Sequence, residues 1–160
     1  MATSNSSMIG ANLGGDSDGA TALFAVGSKT TGTDDSEWIY VQANVALTTG
    51  QCLSINSTFT AVLAHPAADE FLAFSQGVFT AADFGWVATR GNPIYVLVSG
   101  VSTVGGAVFL SEASGTLSVV ASGTLAGISV IEVTATATAG AKPAFVTYPR
   151  PQVTTGGGRG

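Results

Sequence analysis

The stretch FGWVATRGNPIYVLVSG, residues 84–100, decides the fold class of this chain. Two runs rich in β-forming residues, 84–89 and 94–99, flank the tetrapeptide RGNP. Gly, Asn and Pro are typical of chain reversals, so this arrangement predicts a β-hairpin. Arg90 is expected to lie exposed at the tip of the hairpin, where it is available for an ion pair with another molecule.

Short apolar runs of the same kind recur along the chain, separated by Gly, Asn, Asp and Ser. About ten such runs predict an all-β fold, a small antiparallel β-barrel or β-sandwich. Every residue of the run 94–98 is apolar, which predicts a central strand covered on both faces, whereas the partly alternating run 128–134 predicts a strand nearer an edge. Residues 66–74 form the one window with helical character, because Pro and acidic residues stand at its start. Alternatively, this window is a loop that packs Phe71 and Phe74.

A chain of 160 residues fits one ordinary domain with a hydrophobic core. Residues 1–20 are rich in Ser, Asn, Gly and Asp, which is typical of a flexible N-terminal arm. Residues 149–160 contain two prolines and a glycine run, which predicts a flexible C-terminal tail. The β domain is therefore expected to span residues 21–148.

Charged residues make up 9% of the chain, against roughly 25% in typical soluble domains. The surface must therefore consist largely of Ser, Thr, Gly and Ala, which suits a subunit packed against its own copies or a larger assembly. A net charge of −5 with five basic residues argues against a nucleic-acid partner. We expect no membrane partner, because the chain has no apolar run of about 18 residues. The first 19 residues lack the basic and apolar regions of a secretory signal, which favours synthesis in the cytoplasm.

Few residues are suited to catalysis or metal binding. Cys52 is the single cysteine and lies in an apolar run, which predicts a buried small hydrophobe. His65 is the single histidine, so neither a zinc site nor a catalytic triad is indicated. Asp16 and Asp18 begin like a calcium loop but lack its later ligands, and the GSKT segment at residues 27–30 lacks the context of a phosphate loop. We therefore expect no enzymatic activity, no cofactor and no metal.

Aromatic residues raise the question of a sugar-binding platform. Trp38, Trp86 and Tyr95 are candidates, but Trp86 shares a strand face with apolar neighbours, a pattern more typical of a core. Asp34 and Asp35 are expected to shape the loop before Trp38 through hydrogen bonds to nearby backbone amides.

Five segments follow one another along the chain. They are LFAVG (23–27), EWIYVQA (37–43), FGWV (84–87) leading through Arg90 and Gly91 into IYVLV (94–98), GTLAGIS (123–129) and AFVTYP (144–149). In this order they resemble the head-decoration (capsid cement) proteins of tailed bacteriophages, over roughly residues 20–150.

The resemblance implies a structural protein on the outer surface of the virion capsid. Its partners would be the major capsid protein, at sites shared by neighbouring capsomers, and copies of itself, which in this family often form trimers. We expect the contacts in the arm, the hairpin tip and the tail, at Asn12, Leu13, Arg90, Asn92 and Arg150. Two alternatives remain: a tail-fibre or baseplate component, or a carbohydrate-binding β-module. A small β-barrel enzyme that uses His65 is the least favoured alternative.

Overall fold

The computed structural model describes residues 5–6, 11–65, 71–99, 109–110, 115–118, 124–130 and 140–152. Within these ranges every regular secondary-structure element is a β-strand, which confirms the predicted all-β class. Most are short, but two are long. The strands are β1 (Asn5–Ser6), β2 (Asn12–Leu13), β3 (Lys29–Thr31), β4 (Glu37–Ala43), β5 (Cys52–Ile55), β6 (Thr60–Leu63), β7 (Phe71–Phe74), β8 (Phe84–Ser99), β9 (Phe109–Leu110), β10 (Leu117–Ser118), β11 (Thr124–Val130) and β12 (Gly140–Gln152).

Five of the strands form a small closed ring. β4 pairs antiparallel with β8, β8 with β7, β7 with β5 and β5 with β6. β6 then returns to β4 in a parallel pairing of Gln42 with Thr60 and Ala43 with Ala61, which closes the ring. β3 is added to the outer edge of β4 as a hairpin partner. The small barrel predicted from the short β runs is therefore present, with one parallel pair among antiparallel ones.

A second set of strands is built on the far half of β8. β12 runs antiparallel to β8 and to β11, and β9 joins β11 to β10. β10 lies parallel to the end of β8, with Leu117 opposite Val98. The strand β8 thus belongs to both sets.

Alternate residues of the ring strands enter two hydrophobic clusters. One cluster includes Ile39, Val41, Leu53, Phe79 and Val87. The cluster on the opposite face joins the ring to the second set of strands and contains both tryptophans. Its large members are Leu13, Trp38, Tyr40, Leu72, Phe74, Trp86, Ile94 and Leu117. The strands of the ring are therefore covered on both faces, like those of a sheet at the centre of a domain.

The hairpin predicted at residues 84–99 is wrong, because these residues form one continuous strand, β8. The Gly-Asn-Pro segment is a site of irregular pairing instead of a reversal. Trp38 lies opposite Ala88 but Glu37 lies opposite Arg90, so the register shifts there. A second shift occurs between Ala144 and Val146 of β12. Bulges of this kind bend a strand and accept proline, and here they allow β8 to pass from β4 to β12.

Two other local predictions differ from the structure. Of the helical window 66–74, residues Phe71–Phe74 form strand β7, because they pair with β5; residues 66–70 lie outside the described residues. The apolar segment 23–27 is not a strand, and Leu23 is 66% exposed. In both places, contacts with residues distant in sequence determine the backbone conformation, and the local pattern does not.

The run 94–98 is covered less completely than predicted. Ile94, Val96 and Val98 are buried, whereas Tyr95 and Leu97 are only half-buried. One face of this strand half therefore packs in the core and the other reaches solvent in part. For the run 128–134, the structure describes the backbone of residues 128–130, which lie in β11.

The packed part of the chain begins before residue 21. Ala11 and Leu13 are buried in the core, and Asp18 donates a backbone hydrogen bond to Phe84. At the other end, β12 extends to Gln152, and residues 153–160 lie outside the described residues. Within the described ranges, no helix combines the length and apolar character that a membrane crossing requires.

Candidate interaction surface

A cavity of about 260 Å³ lies beside β3. We call it the β3 cavity. Strand β3 occupies one end of the strand order, so the cavity stands at the margin of the sheet. Its walls come from four strands: Lys29, Thr30 and Thr31 of β3, Glu37, Trp38 and Ile39 of β4, Phe71 of β7 and Thr89 of β8.

Arg90 forms an ion pair with Glu37, one of the residues that line the β3 cavity. Its Nη1 lies 3.1 Å from Oε1 of Glu37, the residue opposite it across the β4–β8 pair. The two side chains are 45% and 34% exposed, so solvent screens the pair and its contribution to stability is small. The predicted hairpin tip is corrected here: Arg90 lies within a long strand, at a bulge, and forms an ion pair with Glu37.

Lys29 and Phe71, which both line the β3 cavity, contact each other. The Lys29 Nζ lies 5.8 Å from the centroid of the Phe71 ring, which is the geometry of a cation–π interaction. Phe71 is 43% exposed. The β3 cavity therefore combines an ammonium group, an exposed aromatic ring and threonine hydroxyls, which together suit contact with another polypeptide.

Trp38 forms a rigid wall of the cavity. Its indole Nε1 donates a hydrogen bond of 2.6 Å to Oγ of the buried Ser36. Ser36 in turn donates to Asp34 from its hydroxyl and, at 3.1 Å, from its backbone N–H. The prediction that Asp34 shapes the loop before Trp38 is therefore confirmed. Asp35 has a φ of 62°, a conformation that Asp tolerates better than most residues.

Both tryptophans belong to the core. Trp38 is 5% exposed and Trp86 is 3% exposed. Trp86 packs edge-on against Tyr40 and Phe24, with ring centroids 5.1 Å and 5.3 Å away. The core role predicted for Trp86 is confirmed, and neither indole presents a face for stacking on a sugar.

The five predicted contact residues do not lie on one strand pair. Leu13 is fully buried, so its side chain packs in the core and the prediction of a surface contact is corrected. Asn12 lies opposite Ser6 in the β1–β2 pair, and Arg150 lies opposite Ala126 in the β11–β12 pair. Asn92 lies in the irregular part of β8, next to Gly91. Of the five, Arg90 is the one beside the β3 cavity.

A second cavity, of about 350 Å³, lies where residues 14–16 approach Gln76 and Tyr95. Gln76 acts there as a substitute for a strand neighbour. Its Nε2 donates to the Tyr95 carbonyl and its Oε1 accepts from the Tyr95 N–H, each at 3.0 Å. Asp16 accepts a 2.8 Å hydrogen bond from the Val78 N–H, so it links two segments distant in sequence. Sequence reasoning missed Gln76, because no local pattern marks a glutamine whose partner is 19 residues away.

The pKa values of Cys52, Tyr40 and Asp83 are shifted from their ordinary values. Burial raises the pKa of the Cys52 thiol, and the prediction of a buried small hydrophobe is confirmed. Burial also raises the pKa of Tyr40, whose hydroxyl accepts a hydrogen bond from the Leu23 N–H. The Ser17 hydroxyl, which donates to Asp83 at 2.6 Å, lowers the pKa of that carboxyl group. His65 is exposed. In the described ranges, no three His, Cys, Asp or Glu side chains are grouped as a metal site.

No protein-family model matches the chain, and no curated protein sequence matches it.

Proposed function

We propose that this protein is a structural, non-enzymatic virion component that binds the outer surface of a phage capsid and stabilises contacts between capsomers. The observation that carries the proposal is the character of its surface. Charged residues are only 9% of the chain, and large apolar side chains stand exposed at Leu23, Val26, Phe71 and Val78. A surface of small neutral residues with exposed apolar ones favours close contact with other protein.

The interior supports a scaffold role. The two tryptophans and the lone cysteine are buried in the core, and the buried Ser36 and Ser75 form hydrogen bonds within the fold. Such a fold presents a fixed surface, so little conformational freedom is lost on binding. Many copies on a symmetric shell would add their individual contacts through multivalency. The partners we propose are the major capsid protein and copies of this chain.

The test is immunogold electron microscopy of virions whose genome encodes this chain, with an antibody raised against the purified protein. Antibody first absorbed with the same protein is the control. We expect gold over the surface of the head. Gold confined to the tail would overturn capsid placement and favour a tail-fibre or baseplate component, and particles without gold would overturn the virion proposal altogether.

A carbohydrate-binding module is the second candidate, and one observation favours it. Phe71 is 43% exposed beside a cavity that also carries Lys29, Glu37 and three threonines, and aromatic rings with nearby polar groups bind sugars. A glycan array separates the two functions. Binding that is lost in Phe71→Ala and kept in Val78→Ala would establish the module. The absence of binding by the unsubstituted protein would remove it.

A further inference from the structure

Among the described residues, the outer side of β3 has no strand beside it. In the part of the chain that the structure describes, β3 pairs with β4 and with no second strand. Lys29 and Thr31 are exposed, and so are Asp34 and Asp35 in the turn that follows. Edge strands that stand open to solvent are templates for pairing with another chain.

Exposed apolar side chains lie close to β3 in sequence or in space. Leu23 and Val26, in the segment that leads into β3, are 66% and 37% exposed. Phe71 is 43% exposed and contacts Lys29. Phe71 thus contacts β3 directly, and Leu23 and Val26 precede the strand by six and three residues. An edge strand flanked by apolar groups can bury them when a second strand is added.

The charges along this segment are self-complementary. A cation, Lys29, stands at the start of β3, and two anions, Asp34 and Asp35, follow its end. Antiparallel pairing of two identical strands about a two-fold axis places the start of each strand beside the end of the other. Lys29 of one copy and the loop that carries Asp35 of its partner then lie at the same end of the pair, and this occurs twice. Unlike charges so arranged favour this register and this partner over others.

We propose that two copies of this chain associate by antiparallel pairing of their β3 strands, with Leu23, Val26 and Phe71 covered at the interface. The occupant of the open edge is thus a second copy. Three residues of β3 provide few hydrogen bonds, so much of the affinity must come from the flanking apolar side chains. The association is therefore concentration-dependent. It is a two-fold contact, distinct from the trimer implied by the family resemblance, and it does not rest on the proposed function.

The first measurement is sedimentation equilibrium of the full chain over a wide range of concentrations. We expect a mass that rises from the monomer value of 15.9 kDa toward twice that value. A monomer at every concentration would overturn the proposal, and so would a trimer, since paired sheet edges form closed pairs.

Three substitutions locate the contact. Val26→Asp places a carboxylate just before β3, at the end of the pair where the partner's Asp34 and Asp35 lie, and we expect it to weaken the dimer by about tenfold or more. Val78→Asp is the matched control, because Val78 is also exposed, at 53%, but lies in the segment that contacts Asp16.

Lys29→Glu should weaken the dimer, and the double variant Lys29→Glu with Asp35→Lys should restore it in part. Circular dichroism confirms that each variant is folded. A dimer unchanged by Val26→Asp, or one weakened equally by both valine substitutions, would overturn the assignment to β3.

Discussion

The two halves of β8 belong to one strand but lie in different environments. Residues 84–90 pair with β4 along their length, and Ala88 also meets β7. Both Trp86 and its neighbour Val87 are buried, on opposite faces. Residues 91–98 pair with β12, and on their other edge the Gln76 side chain and the Gly50 carbonyl bind the backbone of Tyr95 and Leu97.

This difference runs against the sequence of the two halves. The second half is the more continuously apolar, yet in the run 94–98 Tyr95 and Leu97 are only half-buried, and Ile94, Val96 and Val98 are buried. The first half contains Gly85 and Thr89, yet both of its faces are covered. Apolar content shows that a strand packs against something, but the number of layers around it depends on which other segments reach it. The two halves therefore predict different responses to substitution.

The largest expected effect is that of Trp86→Ala in the first half. Removal of a buried tryptophan leaves a cavity beside Phe24 and Tyr40, and should lower the free energy of unfolding by about 3–5 kcal/mol. Urea unfolding measures the change. Leu97→Ala in the half-buried face of the second half is the control, with an expected loss of about 1 kcal/mol. Equal losses at the two positions would refute the comparison.

The next largest effect on stability is expected where Gln76 lies beside Tyr95, in the second half of β8. Gln76→Ala removes the side chain that satisfies both backbone groups of Tyr95, and should cost about 1–3 kcal/mol in unfolding free energy. Gln42→Ala is the matched control, because the Gln42 amide makes one exposed 3.3 Å hydrogen bond. If the two glutamine variants unfold at the same urea concentration, Gln76 does not act as a substitute strand.

Alkaline pH tests the core that both halves share. Cys52 lies in the same cluster as Trp86 and Ile94, and its pKa in the folded state is raised above the ordinary value of 9.0 by burial. Above pH 9 the thiol of the unfolded chain ionises while the folded one stays protonated, so stability falls as pH rises. The slope from this group is at most about 1.4 kcal/mol per pH unit. Tyr40 adds a loss of the same sign above its ordinary value of 10.0.

The measurement is urea unfolding at a series of pH values from 8 upward, for the unsubstituted chain and for Cys52→Ala. The variant should be less stable at pH 8 because of the lost packing, but its stability should fall less steeply above pH 9. Parallel curves for the two proteins would mean that the thiol is accessible to solvent.

The smallest effect is expected where the halves meet. Arg90→Ala breaks an exposed ion pair with Glu37 and should change the unfolding free energy by less than about 1 kcal/mol. Glu37→Gln, which removes the charge of the other partner, should have a similarly small effect. A shift in melting temperature of many degrees for Arg90→Ala alone would show that this side chain stabilises the bend of β8.

Part of the interaction surface was predictable. Arg90 was singled out as an exposed residue at the predicted turn, and in the structure it pairs with Glu37, which lines the β3 cavity. Lys29, Phe71 and Glu37 were missed, since they come from segments far apart in sequence and no shared motif connects them. Leu13 was expected at a contact because it lies in the segment predicted to be a flexible arm. It is buried in the core cluster that also contains Trp38 and Trp86.

The sequence by itself determined the all-β class and the inward role of Trp38, Trp86 and Cys52. Short apolar runs between Gly, Asn and Asp residues favour strands. Burial of large apolar side chains lowers the free energy of the folded chain, whatever the path of the backbone. Only the tertiary structure decided that residues 84–99 form one strand and that residues 71–74 extend instead of coiling. Both outcomes depend on backbone hydrogen bonds to β4, β5 and β12, whose partners are remote in sequence. A local pattern records the preference of a segment, whereas strand pairing is settled by the segments that come to lie beside it.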